Sequence, residues 1–253
     1  MTGFIPYGRQ SISEDDVSRV EEVLRSDWLT QGPCVPEFEN AIASSVGAKF
    51  AVAVNSATSA LHLACLALGV GPGDHVWTSA NTFVASANCA LYCGAFIDFL
   101  DIELESYNID INFLREKLER AEYAGCLPKV IIVVHFSGTP CPMQEIWDLS
   151  QYYGFRVVED ASHALGASYR CTEEREQVEA AIPIKIGSCR HSSITVFSFH
   201  PVKMITTGEG GMALTNDPAL FEKLDRLRCH GIVRDPAFFK DIAEDEIWGY
   251  QQL

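Results

Sequence analysis

Two hydrophobic rhythms alternate along the chain. Short, nearly unbroken apolar runs at 49–55 (KFAVAVN), 74–79, 95–99, 129–135 (KVIIVVH), 155–159, 193–199 and 211–215 predict strands buried on both faces. Between them, segments at 58–68, 83–92, 112–120, 142–153 and 218–229 read as helices of ten or so residues. An earlier amphipathic helix is expected over 13–26: Ser13 caps it, Glu14, Asp15 and Asp16 sit in its first turn, and Val17, Val20 and Leu24 form its apolar stripe. Strands alternating with helices imply an α/β fold with a largely parallel sheet covered on both faces. No internal repeat or low-complexity segment interrupts the pattern. The charged, irregular stretch 170–185 reads as a surface insertion between two strands.

Composition narrows the function classes. With 253 residues, 47% of them hydrophobic, the chain is long enough for one large domain, alone or with a small one. Nineteen Lys and Arg against 34 Asp and Glu give a net charge of -15, which repels phosphate backbones and anionic bilayers. Nucleic acid and membrane surfaces are therefore not expected partners. No apolar run approaches the roughly 20 residues of a membrane span. The opening residues lack the basic-then-apolar pattern of a secretory signal, so a cytoplasmic location is expected. The nine cysteines have neither even count nor metal-type spacing, and even the close pair Cys89 and Cys93 is not C-x-x-C. Reduced, buried thiols and no metal site are expected.

Candidate chemistry gathers at strand ends. In SFHPVK, running from Ser198 to Lys203 and followed by ITTGEGG, a strand gives way to a single lysine and a glycine-rich exit. A lysine so placed can be held against a cofactor, with desolvation lowering its pKa. In EDASHALGA, Asp160 ends a buried strand, where open α/β sheets bind ligands, and can pair with a cationic ring nitrogen. In NSATSALH, small hydroxyl residues at a strand-to-helix junction offer free N–H groups and a positive helix end to a phosphate. In NTFVA, Phe83 can lie flat on an aromatic ligand. Taken singly, the lysine is more often solvated, the hydroxyl turn more often a plain N-cap and the phenylalanine more often core, while the aspartate is as often a turn residue. Together, an amine, an acid, a phosphate cradle and an aromatic plate are the contacts that pyridoxal phosphate needs.

At these residues, and over essentially its whole length, the chain resembles the DegT/DnrJ group of nucleotide-sugar aminotransferases, which are fold type I pyridoxal-phosphate enzymes. The opening segment 5–33 looks most like the pseudaminic-acid branch, whose members aminate C4 of a UDP-linked 4-keto-6-deoxy-N-acetyl sugar. The resemblance implies a three-layer α-β-α large domain with a mostly parallel mixed sheet. It implies Lys203 as the lysine joined to the cofactor and Asp160 as partner of the pyridine nitrogen. His163 is implied beside the ring oxygen edge, Phe83 on the ring, and Ser56, Ala57, Thr58 and Ser198 around the phosphate. It further implies that Tyr7 and the segment Asp27, Trp28, Leu29 and Thr30, with Ala57 and Ser198, touch the sugar nucleotide.

The expected reaction is transamination, with glutamate as donor and Lys203 moving the proton, in a homodimer. Two departures are noted. The stretch 171–184 lies where most relatives have a tight hairpin, and family chains are longer. The ending at 248–253 does not read as a natural finish. The expectation is therefore a large domain over 1–253, cut before a small C-terminal domain, and an alternative reading is a silent remnant that binds cofactor without turnover. A nicotinamide-dependent oxidoreductase is disfavoured because no G-x-G-x-x-G follows the first buried strand.

Overall fold

The computed structural model describes residues 8–171 and 182–232. Its seven-stranded sheet has the order β1-β9-β8-β5-β4-β2-β3. The strands are β1 (Phe50–Val54), β2 (His75–Ser79), β3 (Phe96–Leu100), β4 (Val130–Val134), β5 (Arg156–Asp160), β8 (Ile194–Ser198) and β9 (Gly211–Thr215). All neighbours are parallel except at β9, which runs antiparallel to both β1 and β8. The short strands β6 (Ser168–Tyr169) and β7 (Ile184–Lys185) form a separate antiparallel pair. The charged insertion thus lies between two strands, and its residues 172–181 fall outside the described ones, as do Tyr7 and the 248–253 ending.

The period-2 alternation of each strand divides its residues between two helical layers. Helices α3 (Ala57–Ala67), α4 (Ala85–Tyr92) and α7 (Pro218–Arg228) cover one face, where Val52, Val76, Ile132, Val158 and Val196 point. Helices α2 (Cys34–Val46), α5 (Ile111–Ala124) and α6 (Met143–Tyr153) cover the other, meeting Trp77, Ile131, Val157, Phe197 and Leu214. The all-apolar β4 is buried at every position because helices lie on both sides. Local signals set the helix ends. Asp110 caps α5 by accepting the N–H groups of Asn112 and Phe113, and Gly125 ends it in the left-handed region.

Three expectations need correction. Helix α2 lies in a segment for which no element was predicted, although Phe38, Ile42 and Val46 repeat at helical spacing and Gly47 supplies a left-handed stop. The helix expected from residue 83 begins at Ala85, leaving Phe83 on the loop before it. Of the cysteines, Cys65, Cys89, Cys141 and Cys189 are buried, but Cys34 is exposed and Cys93, Cys126, Cys171 and Cys229 are intermediate, so buried filling does not describe these five. None of the nine forms a disulfide. Helix α1 (Glu14–Leu24) carries the expected Ser13 cap, with Asp16 closing the reciprocal bond, yet buries no residue: Val17, Val20 and Leu24 are exposed.

Candidate active site

The parallel strands β1, β2, β4, β5 and β8 present their C-terminal ends to one cleft of about 480 Å³. Each end contributes a side chain. Asp160 is the last residue of β5, the middle strand of the sheet by position. Its even-numbered register turns it toward the layer of α3 and α4, with Val158. Its Oδ1 accepts the Ser162 hydroxyl at 2.6 Å, and its Oδ2 accepts the Ser86 hydroxyl at 2.6 Å. His163 follows three residues later. Gly138, at a φ of 85° in the turn after β4, lets that turn approach the His163 carbonyl so closely that a Cβ there would sit 2.6 Å from its oxygen.

Lys203 sits in the loop after β8, half-buried. The loop is tied down by backbone bonds from Phe199 N–H to Gly210 C=O, from Thr207 N–H to Phe199 C=O, and from Lys203 N–H to His200 C=O. This holds Lys203 Nζ 2.7 Å from His163 Nε2. Burial lowers the Lys203 pKa, opposed by the Asp160 charge. Burial also lowers that of His163, and the nearby Lys203 charge adds to the effect while Asp160 opposes it. The two nitrogens therefore share hydrogen bonding with reduced proton affinity, as an amine needs in order to act as a nucleophile or base.

Across the cleft, Ser56 caps α3 by accepting the Ser59 N–H at 3.1 Å. The first intrahelical bond runs from Ala60 N–H to Ser56 C=O, which leaves the Ala57 and Thr58 N–H groups outside that ladder at the positive helix end. Gly211 brings β9 against this turn: a Cβ on it would lie 2.4 Å from Ala57 N. Ser198, at the end of β8, faces the same space, and Phe83 at 74% exposure stands at the edge. The cleft thus gathers Ser56, Ala57, Thr58, Phe83, Asp160, His163, Ser198 and Lys203. An amine, a carboxylate, an anion-binding helix start and an exposed ring fit a phosphorylated aromatic aldehyde with a basic ring nitrogen.

Asp27, Trp28, Leu29 and Thr30 are not among the residues that line this cleft. Trp28 and Leu29 border a second depression with Val23, Gly32 and Pro33, on a turn that Ser26 Oγ closes by accepting the Trp28 N–H. That placement gives no support to contact between this segment and a ligand in its own chain's cleft. The cleft also holds residues that sequence reasoning missed: Thr82, Ser162, His135, His200 and Glu209 line it, and Ser86 stands behind Asp160. Ser162 had a local signal, a hydroxyl two residues after the acid. Ser86 had none, being 74 residues from its partner. Among the described residues no group of three or more His, Cys, Asp or Glu could hold a metal ion, and no helix is long and apolar enough to cross a membrane.

Known proteins share this architecture. The chain is 39% identical over 241 residues to the UDP-4-amino-4,6-dideoxy-N-acetyl-beta-L-altrosamine transaminase of Campylobacter jejuni, covering 95% of this chain and 59% of that protein. The structure of Helicobacter pylori PseC, an aminotransferase involved in the biosynthesis of pseudoaminic acid, matches with a TM-score of 0.76 and 33% identity, over 94% of this chain and 59% of that one. The putative sugar aminotransferase Spr1654 of Streptococcus pneumoniae, solved in its PLP form, matches with a TM-score of 0.76 and 27% identity, over 98% of this chain and 60% of that one. The chain spans 58% of the length of the first curated relatives it matches. With its residues 10–251 matching the family profile, the chain belongs to the DegT/DnrJ/EryC1/StrS aminotransferase family, whose cofactor is pyridoxal 5'-phosphate.

Proposed function

We propose that the protein transfers an amino group from glutamate to C4 of a UDP-linked 4-keto-6-deoxy-N-acetyl hexose, in the assembly of a nonulosonic acid of the pseudaminic type. The observation that carries this reading is the convergence of Lys203, His163 and Asp160 at the sheet's C-terminal edge, opposite the start of α3. The choice of sugar rests on the transaminase of Campylobacter jejuni and the Helicobacter pylori enzyme. Residues 1–253 are read as the cofactor-binding large domain of a cytoplasmic enzyme. A homodimer is supported by the apolar outer face beside the cleft, where Phe83, Val84, Leu91 and Tyr92 are all exposed.

Pyridoxal phosphate, when bound, supplies an electron sink for the pair left when the substrate carbon loses a proton. Lys203 Nζ would carry the cofactor covalently and, once displaced by the amino donor, would move that proton as base and then acid. Asp160 would keep the ring nitrogen protonated through an ion pair. Ser56, Ser198 and the N–H groups of Ala57 and Thr58 would hold the phosphate. His163, whose Nε2 lies 2.7 Å from Lys203 Nζ in the free chain, would face the ring oxygen edge.

The test is borohydride reduction of the chain with pyridoxal phosphate, followed by peptide mapping. Label on Lys203 is the expected result, and label on another lysine such as Lys185 would overturn the assignment.

A further inference from the structure

Asp160 is held by a chain of hydroxyls that reaches it from the opposite layer. Ser86 is fully buried in the first turn of α4, and its Oγ lies 2.6 Å from Asp160 Oδ2. A serine hydroxyl has one proton, and a carboxylate can only accept, so that proton is committed to Asp160. The 2.9 Å contact between Thr82 Oγ1 and Ser86 Oγ must then run from Thr82 to Ser86. The relay is directional: Thr82 donates to Ser86, and Ser86 donates to Asp160. On the other oxygen, Oδ1 accepts both the hydroxyl and the backbone N–H of Ser162, at 2.6 and 3.2 Å. Ser86 lies in the first turn of α4, so the positive end of the helix dipole adds potential near the acid.

We propose that Ser86, backed by Thr82, is a positioning residue that fixes the rotation of the Asp160 carboxylate, so that the acid is held in place to pair with a protonated cofactor ring nitrogen. With Ser162 on one oxygen and Ser86 on the other, the carboxylate plane cannot turn without breaking a charge-assisted bond. Asp160 lines the cleft together with Lys203 and His163. Glu159 and its partner His135 point to the opposite layer and do not compete for Asp160. The inference rests on the cofactor reading above and deepens it.

The experiment compares the wild-type chain with Ser86→Ala, Ser86→Thr and Thr82→Val. Each is titrated with pyridoxal phosphate labelled with nitrogen-15 in the ring, reading affinity by fluorescence and the ring-nitrogen resonance by NMR. Ser86→Ala should weaken binding about tenfold to a hundredfold and move the resonance toward that of an unprotonated pyridine. Ser86→Thr, which restores the hydroxyl, should recover both. Thr82→Val, which removes the outer hydroxyl from a partly exposed site at nearly constant shape, should give a smaller change of the same sign and serves if Ser86→Ala does not fold. Unchanged affinity and resonance in Ser86→Ala, with only a lower unfolding midpoint, would show that the serine is structural and overturn the proposal alone. A wild-type chain that does not bind the cofactor would overturn the cofactor reading and this proposal with it.

Discussion

Glu159 and Asp160 are consecutive residues of one strand, both almost fully buried, and they do opposite things. Glu159 points to the layer of α5 and α6 and finds every need met. His135 Nε2–H donates to it at 2.9 Å, Thr195 Oγ1 donates at 2.7 Å, and Ser192 Oγ donates as well. The His135 ring is fixed in turn, because its Nδ1 accepts the Cys141 N–H at 3.1 Å, leaving the proton on Nε2. Burial pushes the Glu159 carboxyl up, but these hydrogen bonds outweigh it and leave the group below its ordinary value. Asp160 turns to the other layer and receives hydroxyls on its protein side, while its free side opens to the cleft. The difference is one of completeness: a buried acid with closed hydrogen bonding cements the sheet, and one with an open side awaits a ligand.

The contrast can be broken most forcefully at the open acid. Asp160→Asn should lower the rate of the amino-donor half-reaction by at least about a hundredfold while changing unfolding free energy by less than about 1 kcal/mol. Stopped-flow absorbance and denaturant titration on the same preparation check both halves. Glu159→Gln should show the reverse pattern, with stability down by about 3 kcal/mol and cofactor affinity nearly unchanged. Equal losses of stability in the two variants would erase the distinction between the two acids.

Acid sharpens the same contrast. Because the folded-state pKa of Glu159 lies below its ordinary 4.5, its contribution is complete above that value and is lost as pH falls through the lower folded value. Stability measured by urea titration should therefore decline below about pH 4.5, and the decline should be shallower in Glu159→Gln. The smallest effect is expected at the cradle. Ser56→Ala removes the α3 cap and should cost about 1 kcal/mol of stability, with a several-fold loss of phosphate-dependent affinity for the cofactor. A loss confined to stability would mean that Ser56 caps the helix and does nothing more.

The strands and most helices were legible because burial on both faces writes an unbroken apolar run, as in β4, and because Ser13 marks a helix start locally; the helix expected over 112–120 runs on to Ala124, since its end signal at Gly125 was not read. The four cleft motifs were legible for a related reason: each lies within a few residues of a strand end. The sequence does not reveal partnerships between layers. Ser86 meets Asp160, and His135 meets Glu159, only because β4, β5 and α4 are stacked by the fold. Nor does an amphipathic stripe say what covers it. Val17, Val20 and Leu24 have the spacing of a buried face, yet they are exposed among the described residues.

The antiparallel strand β9 carries a consequence for the order of assembly. It is the strand that joins β1 to the rest of the sheet, pairing with β1 on one edge and β8 on the other. Strand β1 leads directly into the cradle at α3, whereas Asp160 and Lys203 belong to β5 and the loop after β8. Until β9 is in place, the two halves of the cleft have no common sheet. Closing so long a loop is entropically slow, and it rewards the chain only when the last pairing forms. On a ribosome, β1 would wait for most of the domain to be synthesised before finding its partner. Cofactor capture therefore waits on this pairing, and a chain that holds the cofactor is one in which β9 has docked.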